Sequence, residues 1–312
     1  MSALLLLARI AVYVISWLPE PARRALAGAC GRLLYHLPWG KHPVIDANLA
    51  MCFPHFPGPE RKALHRRYCR ELLRLIFEAG VLWHAKAEWL DREIIIESGP
   101  ELMETAKDST TGTLYVSGHI GNWELLNLRL SMAGPITTLY RAPSNAALDR
   151  FINEPRQRFA ARMVPGDRAA IRELLGALRR GHAASIAADI QPKSGDGVFV
   201  KFFGIDTLTM TLVHKLARKT GCRVVFTDLT RHPDRPGWLL SLVDGSEWMA
   251  TDDTELALGR VNDWLEGRIR RTPAQYLWLY KRFSKRPEGE APRYPKLRKK
   301  RQSSAKPPSS GD

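Results

Sequence analysis

The residues best suited to chemistry sit together in one short stretch, Ser117-Gly118-His119-Ile120-Gly121-Asn122-Trp123-Glu124. An imidazole near a carboxylate suits general-base catalysis: the carboxylate holds one ring nitrogen and the other takes a proton. On one continuous helix, residues five apart lie ~140° apart around the axis and do not meet easily. With His119 in a turn and Glu124 in the first turn of a following helix, the chain can bring them together. The helix N-terminus would also keep Glu124 ionised. Gly118 and Gly121 would let the backbone approach a substrate closely, and Asn122 suits the helix N-cap. The sequence holds no Gly-x-Ser-x-Gly elbow and no His-Glu-x-x-His zinc motif. A base here would therefore activate an acceptor hydroxyl directly, without an acyl-enzyme. The same residues also read as a strand-end histidine bonded to backbone beside a solvated glutamate, and the pair alone does not choose.

The flanking pattern supplies the elements that must position this stretch. Thr113 to Ser117 is a short apolar run and Trp123 to Met132 is helical, so His119 falls where a strand passes into a helix. In open α/β sheets, ligands bind at such junctions. Further strands are expected at Ile94 to Ile96, Ile136 to Tyr140, Ala183 to Ala188, Val198 to Phe203, Arg223 to Leu229 and Trp238 to Val243. Helices are expected over Glu60 to Lys86, Ala146 to Met163, Asp167 to Arg180, Leu208 to Thr220 and Asp253 to Arg271. Alternation of this kind predicts an α/β fold with a largely parallel central sheet flanked by helices. Ile45 to Pro54 reads as a connector, since Pro54, Pro57 and Pro59 break helix.

The N-terminus is apolar from Ala3 to Leu18, broken only by Arg9, and falls short of the ~20 residues of a comfortable membrane span. A second apolar helix is expected from Ala22 to Leu37, with Arg23, Arg24 and Arg32 on its polar side. The two read as a helical membrane anchor whose basic residues face anionic headgroups. The expected organisation is an anchor over 1–40, an α/β domain over 41–286 and a basic disordered tail over 287–312.

Of the 312 residues, 47 are Lys or Arg and 32 are Asp or Glu, a formal net charge of +15. From Lys281 onward there are eleven Lys and Arg against three acids, so +8 of that excess lies at the C-terminus. A nucleic-acid binder would interleave basic and aromatic residues on a folded face. Here the charge gathers in a segment poor in aromatics, which argues against nucleic acid and fits an anionic membrane or an acidic carrier protein. Cys30, Cys52, Cys69 and Cys222 show no Cys-x-x-Cys pair and no metal-ligand spacing, and read as free thiols of a reducing compartment. His84, His182 and His214 read as structural.

At this point the chain resembles the lipid A biosynthesis acyltransferases, within the wider lysophospholipid acyltransferase superfamily. His119 and Glu124 meet the superfamily's His-x-x-x-x-Glu/Asp motif. Gly121, Asn122 and Trp123 complete the His-x-Gly-Asn-Trp-Glu form of the lipid A branch. Asn48-Leu49 with Phe53-Pro54, Tyr140-Arg141-Ala142-Pro143, Gly197-Val198-Phe199-Val200 with Phe202-Phe203-Gly204, and Gln275-Tyr276-Leu277-Trp278 with Arg282-Phe283 resemble further family segments. There are departures. Ile190 separates Asp189 from Gln191 where the family usually has Asp-Gln, and Phe159-Ala160 follows Arg158 where a glycine is usual.

The resemblance implies transfer of a fatty acyl group from an acyl carrier protein thioester to a hydroxyl of a glycolipid. The setting it implies is the cytoplasmic face of the bacterial inner membrane, with no metal or organic cofactor. The catalytic residues expected are His119 and Glu124, and the substrate-binding residues Asn122, Arg141, Arg156, Arg158 and Asp189. The arginines would hold acceptor phosphates or carrier phosphopantetheine, and Asp189, ending a buried strand, would position an arginine or substrate. The same motif serves other acceptors, among them phosphoinositide mannosides, aminoacyl lipids and lysophospholipids. A non-catalytic membrane protein is the remaining alternative.

Overall fold

The computed structural model describes residues 3–103, 111–192 and 195–295. Nine strands are described: β1 (Ile94–Ser98), β2 (Thr113–Ser117), β3 (Ile136–Tyr140), β4 (Ala161–Pro165), β5 (Ala183–Ala187), β6 (Gly197–Phe202), β7 (Ile205–Met210), β8 (Arg223–Arg231) and β9 (Trp238–Asp244). Seven of them form one sheet in the order β1-β9-β8-β2-β5-β3-β4, while β6 and β7 form a separate antiparallel hairpin. Within the large sheet only β8 and β9 run antiparallel; the other neighbours are parallel. The expected largely parallel α/β sheet is present.

The central strands are covered on both faces, as parallel strands must be. Successive side chains of a strand point to opposite sides. Accordingly Leu114 and Val116 of β2, with Val224 and Phe226 of β8, join one buried cluster. Tyr115 and Val225 join the other. Four N-terminal helices, α1 (Ala3–Ser16), α2 (Glu20–His36), α3 (His42–Cys52) and α4 (Gly58–Glu78), lead into a 3-10 turn at Ala79–Trp83 and α5 (Ala87–Glu93). The helices among the strands are α6 (Trp123–Ser131), α7 (Ala146–Arg156), α8 (Arg168–Arg179), α9 (Leu212–Thr220), α10 (Ser246–Ala250) and α11 (Thr254–Arg271).

Several local expectations are corrected. The segment read as a connector is mostly α3: Pro43 occupies a first-turn position, where its missing N–H is harmless. Val44, Ile45, Asn48, Leu49 and Cys52 make its buried stripe. The helix expected to reach Met163 stops at Arg156, after Pro155, and Phe159 takes φ 55°. The chain then re-enters the sheet as β4. Leu208–Met210 is strand rather than helix, because β7 turns back on β6 through Gly204 at φ 73°.

The N-terminal helices are built onto the body. Gly31 lets α2 lie directly on α4; a Cβ there would stand 2.5 Å from Arg70 Cα. Arg9 makes a bidentate pair with Glu154 of α7 at 2.9 Å, and Ser16 Oγ lies 2.9 Å from His84 Nε2. Arg23, expected on the polar side, is buried and donates to the Ser16 carbonyl. Among the described residues no helix is long and apolar enough to cross a membrane. Part of the expected tail belongs to the body: Tyr294 donates to Asn48 Oδ1 at 2.6 Å and accepts from the Phe283 N–H at 3.1 Å. Residues 296–312 of the expected tail lie outside the described residues.

Candidate active site

β2 and β5 are parallel neighbours, in register from Thr113 against Ala183 to Ser117 against Ala187. Their continuations therefore emerge side by side at the carboxyl edge of the sheet, where α/β proteins bind ligands. His119 follows β2 and Asp189 follows β5, so two residues 70 apart in sequence meet. Asp189 Oδ1 lies 2.8 Å from His119 Nδ1, and its Oδ2 accepts the His119 backbone N–H at 2.9 Å. One carboxylate thus fixes both the backbone and the ring of the same histidine.

The Asp189 side chain is only 3% exposed and that of His119 is 23% exposed. Burial alone would raise the Asp189 carboxyl, but the facing imidazole and the hydrogen bonds from the His119 ring and backbone N–H hold it below the ordinary carboxylate value. Burial alone would lower His119. The Asp189 charge and hydrogen bond, with a contribution from Glu124, outweigh this and raise it above the ordinary histidine value. An ionised Asp189 accepts, so Nδ1 carries the proton and neutral His119 presents Nε2 as a lone pair. No hydrogen bond to Nε2 is found among the described residues.

Glu124 does not take the role expected of it. Its carboxylate receives Arg156 through Nε at 2.6 Å and through Nη2, and Trp123 Nε1 at 3.2 Å. The contact expected between Glu124 and the imidazole is made by Asp189 instead. Glu124 still acts on His119 through its charge, and the Trp123 ring stands edge-on to the imidazole at 5.1 Å.

The turn itself is held from behind. Asn122 caps α6 by accepting from the Leu125 N–H at 3.1 Å, and donates to Glu78 Oε2 at 3.0 Å. Glu78 in turn pairs with Arg231. With its amide used on both sides and 1% exposure, Asn122 supports the turn from within. Gly121 sits at φ 63°, where a Cβ would stand 2.0 Å from the Leu229 carbonyl oxygen. That close approach carries the bridge between this turn and β8. The segment after α11 closes the remaining side. Gly121 N–H donates to the Gln275 carbonyl, and Leu277 N–H to the His119 carbonyl. Asn48 Nδ2 donates to the carbonyls of Trp278 at 2.8 Å and Tyr280 at 2.9 Å. Three segments distant in sequence thus hold one turn.

The three arginines expected to bind anions have different surroundings. Arg158 donates to the carbonyls of Leu82 at 2.8 Å and Ala85 at 2.6 Å, bracing the 3-10 turn. Arg156 is engaged by Glu124. Arg141 is exposed, and no hydrogen bond or ion pair to it is found among the described residues. The sequence singles out neither Glu78 nor, beyond its place in a family segment, Arg282 as part of the site. The first reads as one more acid in a long helix. Arg282 is buried, donates to the Leu208 carbonyl and to Thr209 Oγ1, and lies close enough to Asp189 to help keep it ionised.

Fold and site together define an α/β protein that carries an aspartate-oriented histidine at the carboxyl edge of a parallel sheet. Its closest motif environment is the His-x-Gly-Asn-Trp-Glu turn. The family described as Bacterial lipid A biosynthesis acyltransferase matches residues 2–285, and the chain belongs to that family; it is an acyltransferase. It is 28% identical over 288 residues to the lipid A biosynthesis lauroyltransferase of Escherichia coli K12, covering 91% of this chain and 92% of that one. It is 26% identical over 282 residues to the palmitoleoyltransferase of the same organism, covering 89% and 90%. A lipid A biosynthesis acyltransferase of Haemophilus influenzae is 28% identical over 279 residues, covering 88% of each. Among solved structures, the 1-acyl-sn-glycerophosphate acyltransferase PlsC of Thermotoga maritima matches 83% of this chain and 100% of that one. Its identity is 13% and its TM-score 0.36, too loose a likeness to bear on the site.

Proposed function

We propose that this chain moves a fatty acyl group from an acyl carrier protein thioester to a hydroxyl of a lipid A-like glycolipid, with His119 as general base. The observation that carries the reading is the Asp189–His119 contact, which fixes the proton on Nδ1 and leaves Nε2 as the available base. Nε2 takes the proton of the acceptor hydroxyl as its oxygen attacks the thioester carbonyl. The tetrahedral intermediate then collapses with cleavage of the carbon–sulfur bond, and the departing thiolate takes the proton back from the imidazolium. Asp189 stabilises the transient imidazolium, and Glu124 adds to this from a distance while it fixes Arg156. Arg141 offers an exposed guanidinium for an acceptor phosphate or the carrier's phosphopantetheine.

The setting proposed is the cytoplasmic face of the inner membrane. Among the described residues, ten of the fourteen exposed large hydrophobic side chains lie between Leu6 and Leu37, a concentration expected of an interaction surface. α1 has 14 residues, roughly 21 Å against a hydrocarbon core of about 30 Å, so the hairpin lies in the interface.

The test is to incubate purified protein with acyl carrier protein bearing mixed acyl chains and a total bacterial lipid extract, and to read acyl gain by mass spectrometry. Acyl gain by one glycolipid with wild type and not with His119→Ala supports the reading. Equal activity of the two overturns His119 as base. Acyl gain by a lysophospholipid or an aminoacyl lipid would move the acceptor.

A further inference from the structure

α3 and α4 each carry a pair of side chains one turn apart: His42 and Asp46 on the first, His65 and Cys69 on the second. Residues four apart share a helix face, and the packing of the two helices turns these faces together. His42 Nδ1 lies 2.9 Å from His65 Nε2. With Cys69 Sγ, the ligating atoms of the three all lie within 4.8 Å of one another. His65 is 3% exposed and Cys69 is fully buried.

The outer ring nitrogens of both histidines are already committed as donors. His65 Nδ1 lies 2.8 Å from Asp46 Oδ1, and the Asp46 side chain is 62% exposed. His42 Nε2 lies 3.1 Å from each of two carbonyls, those of Leu34 and Leu37 at the end of α2. Carboxylates and carbonyls only accept, so both outer nitrogens carry hydrogen. Neutral imidazole has one N–H, which leaves two lone pairs pointing at each other across 2.9 Å. Something positive must lie between them. A single shared proton would suffice, but it gives no reason for a thiol at the same point. A metal ion satisfies all three groups. Each ligand histidine would then donate its second N–H to a carboxylate or a backbone carbonyl, the arrangement that orients metal-bound imidazoles.

We propose that His42, His65 and Cys69 bind a zinc ion, with the fourth position left to solvent on the half-exposed side of His42. Zinc takes imidazole and thiolate in tetrahedral geometry at about 2.0–2.1 and 2.3 Å. Those lengths separate ligand atoms by roughly 3.3–3.8 Å, so the two nitrogens part by a few tenths of an ångström on loading. The Cys69 thiol gives up its proton to solvent as the bond to zinc forms. The ion joins α3 to α4 directly and α2 through the two carbonyls on His42. It therefore clamps the root of the N-terminal hairpin to the body, apart from the acyl-transfer site. The signal in sequence is His42-x-x-x-Asp46 with His65-x-x-x-Cys69, which a search limited to cysteine spacing passes over.

The test uses the full chain, freed of any affinity tag, stripped with chelator and titrated with cobalt(II). The wild type is expected to take one cobalt per chain, with thiolate-to-metal charge-transfer absorption and tetrahedral d–d bands, and to lose both on addition of one equivalent of zinc. Cys69→Ser should abolish the charge-transfer band, and His65→Gln should weaken binding at least ten-fold. Cys222→Ala should change neither. If Cys69→Ser fails to fold, a chain with Cys30, Cys52 and Cys222 all replaced by Ala decides, since the band must survive there. Folded wild type without the band overturns the proposal and leaves a proton shared by the two histidines. Persistence of the band in folded Cys69→Ser overturns it as well.

Discussion

The carboxyl edge of the sheet and the N-terminal hairpin break the ordinary rule of burial in opposite directions. At the sheet edge, ionisable groups are taken out of water: Asp189, Glu78, Arg231 and Arg282 all lie under or beside one histidine turn. In the hairpin, large apolar side chains such as Leu7, Ile10 and Trp17 are left in the open. The difference separates two demands. A base must have a fixed direction and proton state, which buried partners provide. A surface that meets lipid needs apolar area and little directional bonding. Each region should therefore fail in its own way when altered.

The largest effects are expected at the sheet edge and should appear in rate. His119→Ala should lower acyl transfer by about 10²-fold or more, with vesicle binding unchanged; loss of binding alongside rate would show that the regions are not separate. Gly121→Ala should destabilise the fold by about 2–4 kcal/mol, because its methyl meets the Leu229 carbonyl and the residue sits at positive φ. Chemical denaturation reads this directly, and a loss under about 0.5 kcal/mol would show that the turn is not fixed as described.

Glu124→Gln sharpens the contrast within the site. It removes half of the pair with Arg156 but leaves the Asp189–His119 contact in place. A rate loss of roughly ten-fold, well short of that in His119→Ala, is expected. A loss equal to His119→Ala would return Glu124 to the central role. The smallest effect on chemistry is expected in the hairpin. A double change of Leu7 and Ile10 to Asp should weaken binding to anionic vesicles by at least ten-fold, while turnover of detergent-dispersed substrate changes less than two-fold. Cosedimentation and a micellar assay would separate the two.

Much of this contrast was legible in the sequence, for reasons that differ by element. The turn around His119 was legible because strand, glycines, cap and helix are contiguous, and Asn122 caps α6 as its type predicts. The apolar run from Ala3 to Leu18 is plain in the sequence, and the structure leaves several of its side chains exposed. The partner of His119 was not legible. Asp189 stood out as a strand-end acid, but only the pairing of β2 with β5 brings it to the imidazole, and register between strands 70 residues apart leaves no mark in local periodicity. Nearness in sequence points to Glu124 as the partner, whereas Arg156 claims its carboxylate. β4 was hidden because Ala161–Pro165 is neither apolar nor alternating enough to announce an edge strand. α3 was hidden by the prolines that follow it.

The central claim is that Asp189 sets the proton state of His119, and the pH dependence of single-turnover acyl transfer tests it most directly. In wild type His119 is held above the ordinary histidine value by Asp189. The base works only when neutral, so activity should fall on acidification with a midpoint above about 6.5. Asp189→Asn removes the charge that favours imidazolium. It should lower the rate and move that midpoint to more acidic pH. An unchanged midpoint and rate in folded Asp189→Asn would mean that another group supplies the base, and would contradict the account.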